Sequence, residues 1–337
     1  RDSSTSRGLG DVYKRQDLIS VNDEMISEFK HKGYLEPLEK NVMTEEVRDS
    51  FPQKYLESIC EENGHIYSVP FQMDIMMFWV NQELLKQAGL DEIKNTGDFD
   101  ILQKSLKNPD QYAYGDAWEN THVYNSLSQF VNFWGGDYFD WTDPKTKDAA
   151  RYMKSMLDEK NTSPAQFVDQ YEQMEEKFIR GKYGCVFMYT SALGTFLDAD
   201  VYGKNKIHMA PLPVLHKKKA TNIATWQYVL NNASENKDVA VRFLQYAAGY
   251  EGSTEYAKIM KSYPARVDVI ENEDIDLEGI DMIRKYLREY TLNARPLCEN
   301  SMGAVSDMGK LFQGYVLGQC EEDSFFEQAQ NCINTYY

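Results

Sequence analysis

Apolar and polar positions along this chain recur in two periods. Ile66, Val69 and Phe71 follow the near-alternation of a half-buried strand, Pro70 interrupts that ladder, and the unbroken apolar run Ile75 to Val80 reads as a buried strand. Gln72 and Asp74 fall in the interruption. Asn81 is placed to cap a helix that carries Leu84, Leu85 and Ala88 on one side, and Gly89 stands where a left-handed residue ends such a helix. Strand, polar break, strand and helix hold two polar side chains at the mouth of a sheet, which is a place for a ligand.

The rest of the chain keeps the same two periods. Asp17 to Val21 reads as a strand. Met25, Ile26 and Phe29 make one helical stripe, and Val47, Phe51, Tyr55, Leu56 and Ile59 another. Phe99, Ile101, Leu102 and Leu106 predict a helix that stops before Asn108-Pro109, and Tyr112 to Gly115 a strand. An aromatic helix then runs through Val123, Leu127, Phe130, Val131 and Trp134 to Gly135-Gly136, and Asp143-Pro144 opens the next one. Tyr183 to Tyr189, Ile207 to Pro213 and Trp226 to Leu230 read as strands. Ser234 is placed to cap the helix with Val239, Phe243 and Ala247. Three helices complete the chain: one with Ile280 to Tyr290, one with Val305, Met308, Phe312 and Tyr315, and one with Phe325 to Ile333 behind a Ser324/Glu327 capping box.

Several of these stretches resemble the sugar-binding members of the extracellular solute-binding protein family 1, which serve ABC importers. The carriers are Tyr67-Ser68-Val69-Pro70-Phe71, then Trp79-Val80-Asn81-Gln82-Glu83-Leu84-Leu85 and Ala88-Gly89-Leu90, with Gly33 to Leu38 before them. Trp134-Gly135-Gly136, the strand Tyr183 to Tyr189, Pro211-Leu212-Pro213, Trp226 to Leu230 and Tyr263-Pro264-Ala265-Arg266 follow in the family's order. One departure stands out, because the turn Tyr189-Thr190-Ser191-Ala192 lacks the family's usual tryptophan. The resemblance implies an α/β, two-lobed, periplasmic-binding-protein-like (type II) fold with three hinge crossings, at Tyr112 to Gly115, at Thr225-Trp226 and near Asp276 to Gly279. Residues 17–115 and 226–278 would form the N-terminal lobe, and 116–225 and 279–337 the C-terminal lobe. Residues 1–16 read as a disordered or foreign segment, and the first β-α-β part of the N-terminal lobe as missing.

Composition narrows the function. With 36 basic against 53 acidic residues the net charge is -17, which argues against nucleic acid and anionic membrane, since both need a basic face. No run of about eighteen apolar residues is present to span a bilayer, and the polar first sixteen residues lack the apolar core of a leader. The five cysteines contain no Cys-x-x-Cys pair, so neither a zinc nor a redox motif is expected; Cys320 and Cys332 flank a short helix and are placed to approach each other, but the set reads first as buried free thiols. His31, His65, His122, His208 and His216 share no ligand spacing. Gly303 to Lys310 has the apolar period of a helix rather than the spacing of a phosphate loop, and Lys217-Lys218-Lys219 reads as a solvated turn. Nucleophile-elbow and dinucleotide motifs do not occur. Carboxylate pairs for glycoside hydrolysis stay open, because such residues need not be neighbours in sequence.

A pyranose offers hydroxyls for hydrogen bonds and C–H faces for aromatic rings, so its site needs acid, amide or guanidinium groups beside Trp and Tyr. The residues placed to supply them are Gln72, Asp74 and Arg266 from one lobe, Trp118, Trp134 and Tyr189 from the other, and Trp226 at the hinge. Each aromatic reads equally well as core. The function implied is capture of a mono- or oligosaccharide between the lobes and delivery to an ABC permease, by a monomer outside the cytoplasm with no catalytic residue, metal or cofactor. The alternatives are a glycan-active enzyme and a binding protein for a polyamine, peptide or metal.

Overall fold

The stretch expected to be two strands split at Pro70 is one strand of 14 residues, Ser68–Asn81, so Gln72 and Asp74 lie within it rather than in a gap. Proline removes only its own N–H, and a strand continues through it where that donor is not required. The computed structural model describes residues 16–337. The segment before Gln16, including most of the stretch read as foreign, lies outside the described residues.

The elements used below are, in chain order, β1 (Leu18–Asn22), α1 (Asp23–His31), β2 (Ser68–Asn81), α2 (Gln82–Gln87), α3 (Thr96–Ser105), β3 (Tyr112–Gly115), α4 (Val123–Trp134), α5 (Pro144–Asp158), α6 (Tyr171–Ile179), β4 (Tyr183–Tyr189), β5 (Ile207–Ala210), β6 (Ala220–Leu230), α7 (Lys237–Ala248), α8 (Tyr250–Met260), α9 (Ile280–Glu289), β7 (Thr291–Ala294), α10 (Ser301–Val316) and α11 (Glu322–Tyr336). The chain divides into two compact units. The first takes residues up to 74 with 223–284 and 297–299, and the second takes 75–222, 285–296 and 300–337.

In the first unit β1 pairs antiparallel with β6, from Leu18 opposite Leu230 to Asn22 opposite Trp226. Asn22 also ends the strand, because its side chain accepts from the Met25 N–H at 3.3 Å and so caps α1. Along β6, Thr225, Gln227 and Val229 are buried while Trp226 and Tyr228 are more open, the alternation of a strand with one face inward. The inward polar groups satisfy one another. Gln227 Oε1 accepts from Ser68 Oγ at 2.5 Å and Cys60 Sγ at 3.1 Å, and its Nε2 donates to Tyr55 OH at 2.9 Å.

In the second unit the later half of β2 pairs antiparallel with β4, from Met76 opposite Tyr189 to Val80 opposite Cys185, and with β5. β3 runs parallel to β4. The parallel pair is tight: a Cβ on Gly115 would stand 2.1 Å from Tyr183 Cδ2, so only glycine fits. These pairings tie 75–115 to the second unit and explain why the chain first passes between units at 74/75 rather than at the expected Tyr112 to Gly115. Later passages come at 222/223, close to the expected Thr225-Trp226, at 284/285 instead of near Asp276 to Gly279, and again at 296/297 and 299/300.

α4 is buried almost throughout and ends at Gly135, whose φ of 70° is the left-handed conformation that favours glycine. α5 starts as read, with the Asp143 carboxylate accepting from the Lys145 N–H at 3.0 Å and Pro144 in the first turn. Two caps move. α7 begins at Lys237, three residues after Ser234, and α11 begins at Glu322, which puts Ser324 inside the helix. Gly303 to Lys310 lies within α10, so it is helical.

Candidate ligand-binding site

β3 and β4 are neighbouring parallel strands, and the loops that leave their carboxyl ends, 116–122 and Thr190-Ser191, lie where open α/β sheets take ligands. The first loop is built around Asp116. Its carboxylate is fully buried and accepts from Tyr114 OH at 2.6 Å, Trp118 Nε1 at 2.8 Å, Ser126 Oγ at 2.6 Å and the Ala117 N–H at 2.8 Å. Burial pushes its carboxyl above the usual range, against the pull of those four donors. The loop is also held from behind. Gln313 Nε2 on α10 donates to Trp118 O at 2.6 Å, and a Cβ on Gly309 would stand 1.9 Å from Asn120 O, so the bare helix surface lies directly on the loop.

On this support stand Glu119, Thr121 and His122. Glu119 Oε2 accepts from the Thr121 N–H at 2.9 Å, from Thr121 Oγ1 at 2.5 Å and from His122 Nδ1 at 3.1 Å. Burial works against the charge, but the bonds from Thr121 and His122 outweigh it and hold the Glu119 carboxyl below its usual range. The His122 ring meets Tyr171 edge-on, with centroids 5.2 Å apart at 83°, and Tyr171 meets Tyr189 in the same way at 6.0 Å and 87°. Tyr189 is mostly buried, and its hydroxyl donates to Asn125 Oδ1 at 2.9 Å. Behind it, Asn222 Nδ2 donates to Asn125 O and Ser128 Oγ.

The seven residues expected at a ligand are placed as follows. Trp226 is 44% exposed at the start of the β1–β6 pair, opposite Asn22. Next to it on the same face of β6, Tyr228 stacks on Phe71 at 4.1 Å. Gln72 and Asp74 are half-buried on β2, and Gln72 Oε1 accepts from Tyr256 OH at 2.7 Å. Tyr189 stands at the end of β4. Trp118, Trp134 and Arg266 differ from the expectation, since each is buried among other side chains. Trp118 is fully buried, edge-on to Phe167 and Phe312, and its N–H is taken by Asp116. Trp134 stacks on His216 at 5.0 Å and 4° and lies 4.9 Å from Tyr152. The Arg266 guanidinium donates to Ala248 O, Ser50 Oγ and both Asp268 oxygens, beside the rings of Phe51 and Tyr250.

Glu119, His122, Tyr171 and Asn125 were missed. Their signal was the polar run Glu119-Asn120-Thr121-His122 directly after a strand, but nothing in sequence shows that this strand lies parallel to β4. Among the described residues no group of three His, Cys, Asp or Glu side chains is placed to hold a metal ion, and no helix is long and apolar enough to cross a membrane.

The chain is 22% identical over 274 residues to the arabinooligosaccharide-binding protein of Bacillus subtilis (strain 168), an alignment covering 77% of this chain and 62% of that protein. It is 23% identical over 239 residues, 67% of this chain and 54% of the other, to a probable amino-acid ABC transporter periplasmic-binding protein of Sinorhizobium fredii (strain NBRC 101917 / NGR234). The matches thus span between half and two thirds of the length of these curated relatives. In structure it is similar to an ABC transporter solute-binding protein from Thermotoga lettingae TMO bound with α-D-tagatose, with a TM-score of 0.81 at 17% identity, covering 99% of this chain and 89% of that one. That likeness shows the expected two-lobed α/β periplasmic-binding-protein-like fold. Residues 8–254, well over half of the sequence, match the family described as bacterial extracellular solute-binding protein, and the chain belongs to that family.

Proposed function

We propose that the chain captures an uncharged mono- or oligosaccharide for an ABC-type importer and hands it to the membrane permease, working outside the cytoplasmic membrane without chemical turnover of its ligand. The family supports a binding role, and two of the similar proteins named above bind arabinooligosaccharides and tagatose. The observation that carries the reading in this chain is Trp226, a large indole left 44% exposed at a strand end, opposite Asn22. An open ring is what a sugar's C–H face requires. Gln72, Asp74 and Tyr189 are the further contacts we propose. Trp118, Trp134 and Arg266 act in the framework. A second reading, an amino acid as ligand, is favoured by the relative from Sinorhizobium fredii alone.

Titration against maltose, D-tagatose, arabinooligosaccharides and a set of L-amino acids, followed by tryptophan fluorescence, tests this. The other four tryptophans are buried, so a shift reports chiefly on Trp226. The expected result is a saturable change with at least one sugar and none with the amino acids. Saturation by an amino acid only, or steady release of a cleaved sugar, would overturn the reading.

A further inference from the structure

Where the chain passes between the two units, the flanking residues are tied down within a few positions on either side. On β2 the Met73 N–H donates to Tyr263 O at 3.0 Å in the first unit, and the Ile75 N–H donates to Thr190 Oγ1 at 3.3 Å in the second, so Asp74 alone lies between the ties. On β6, Asn222 is held to α4 of the second unit: its N–H donates to Gln129 Oε1 at 2.9 Å and its Nδ2 to Ser128 Oγ at 2.8 Å. Thr225 Oγ1 donates to Tyr55 OH at 2.6 Å in the first unit, which leaves Ile223 and Ala224 between. Leu297–Glu299 lies outside helix and strand, and Glu299 meets His31 of α1 at 2.9 Å in an exposed pair of little strength.

The passage at 284/285 differs, because it falls inside a helix, α9. Arg284 belongs to the first unit, where its mostly buried guanidinium donates to Ile270 O at 2.8 Å, Asn272 O at 2.9 Å and Ile275 O at 3.3 Å. Tyr286 belongs to the second. It is fully buried, and its hydroxyl donates to Ala210 O at 2.8 Å and accepts from the Phe78 N–H at 3.0 Å, which are facing residues of β5 and β2. At about 100° per residue the two side chains leave nearly opposite sides of the helix. An extended residue turns about its own φ and ψ, whereas a helix cannot bend between neighbours without opening its i to i−4 hydrogen bonds. We propose that α9 is the stiff member of these passages, and that its rigidity between Arg284 and Tyr286 sets how tightly ligand is held. The proposed contacts Trp226 and Gln72 belong to the first unit and Tyr189 to the second, so a ligand that uses them needs one arrangement of the units. Every further arrangement that a softer helix admits in the free protein is surrendered on binding, and affinity falls. The inference rests on the capture reading above and adds the element that governs its affinity.

Lys285 stands between the two ties, and its side chain reaches Glu289 at 3.9 Å in an exposed pair one helical turn on. Lys285→Ala and Lys285→Gly lose that same side chain and differ in backbone stiffness. The 337-residue chain and both variants are titrated by calorimetry, well below their melting temperatures, with whichever of maltose, D-tagatose and arabinooligosaccharide binds the parent most tightly. Lys285→Ala should bind within about twofold of the parent and Lys285→Gly about fivefold or more weaker. An unfolded fraction would lower the stoichiometry and not raise the Kd. Small-angle scattering without ligand should give a wider distance distribution for Lys285→Gly than for Lys285→Ala. Equal affinity and equal scattering of the two variants would overturn the role of α9 while leaving the carbohydrate function standing. A parent that binds an amino acid and no sugar would overturn the carbohydrate reading, and the two variants, compared with that amino acid, still decide on α9.

Discussion

Arg266 and Trp226 were expected to share one task, and the structure separates them by what surrounds each side chain. The guanidinium of Arg266 spends its donors on Ser50, Ala248 and Asp268, and it is 8% exposed. Arg266→Ala should therefore cost about 2–3 kcal/mol of stability through lost charged hydrogen bonds and unsatisfied acceptors, seen as a lower melting temperature, with ligand affinity in the surviving fold changed less than twofold. Trp226→Ala should do the reverse: affinity falls about tenfold, roughly 1.4 kcal/mol, and the melting temperature holds. At this scale the sequence was legible as residue type and strand position. It was silent on partners, because Ser50 and His216, which occupy Arg266 and Trp134, come from segments that only the fold brings together. For Trp118 the partner was two residues away and still unread, since a strand end gives no sign of which way its last carboxylate turns.

Among the elements, the later half of β2 and the helix α4 were read from apolar period alone, and that period survives in the structure because both are buried on most sides. Helix starts at Ser234 and Ser324 were misplaced. A serine with a downstream glutamate looks like a cap, but Ser234 Oγ is used by the Asn236 N–H and by Asp17 before the helix begins. The loop after β3 offers a test at this scale. Asp116→Asn would present an amide N–H to at least one of the donors that the carboxylate now accepts, and leaving Trp118 Nε1 or Ser126 Oγ unpaired costs about 1–3 kcal/mol. Denaturant unfolding should show that loss, because the carboxylate ties together the loop that carries Trp118 and the start of α4. Thiols give a second check. Cys60 lies in the buried network with Ser68 and Gln227, and burial pushes its thiol up to about 12. Cys185 is likewise buried and pushed well up. Native labelling with iodoacetamide at pH 8 should modify Cys320, the one cysteine not buried, and leave Cys60 and Cys185 untouched until the chain is unfolded.

For the whole molecule, the α/β alternation and the two-unit organisation were readable in advance, whereas of the passage points only the one near Thr225-Trp226 was. A strand such as Tyr112 to Gly115 looks the same whether it leaves a unit or pairs within one, and only its parallel partner decides. Acid stability can be anticipated from several groups at once. Glu119 is held below 4.5 despite its burial, Glu322 chiefly by Arg151, and Asp307 below 3.8 chiefly by Tyr336. A depressed carboxyl stabilises the fold fully above its ordinary pKa and loses that contribution as pH falls through the folded value. The depressed groups should make thermal melts decline from about pH 4.5 downward, while Asp116, whose carboxyl burial raises, works the other way as it takes up its proton; a net rise in melting temperature in an Asp116→Asn background over that range would contradict the assignment. Gly309 shows how far such influence reaches. Its missing side chain lets α10 lie on the Asn120 carbonyl, so even a methyl group there would lift the loop from underneath without touching any ring or carboxylate above. The position of this loop can therefore be set from α10 without altering any of the loop's own side chains.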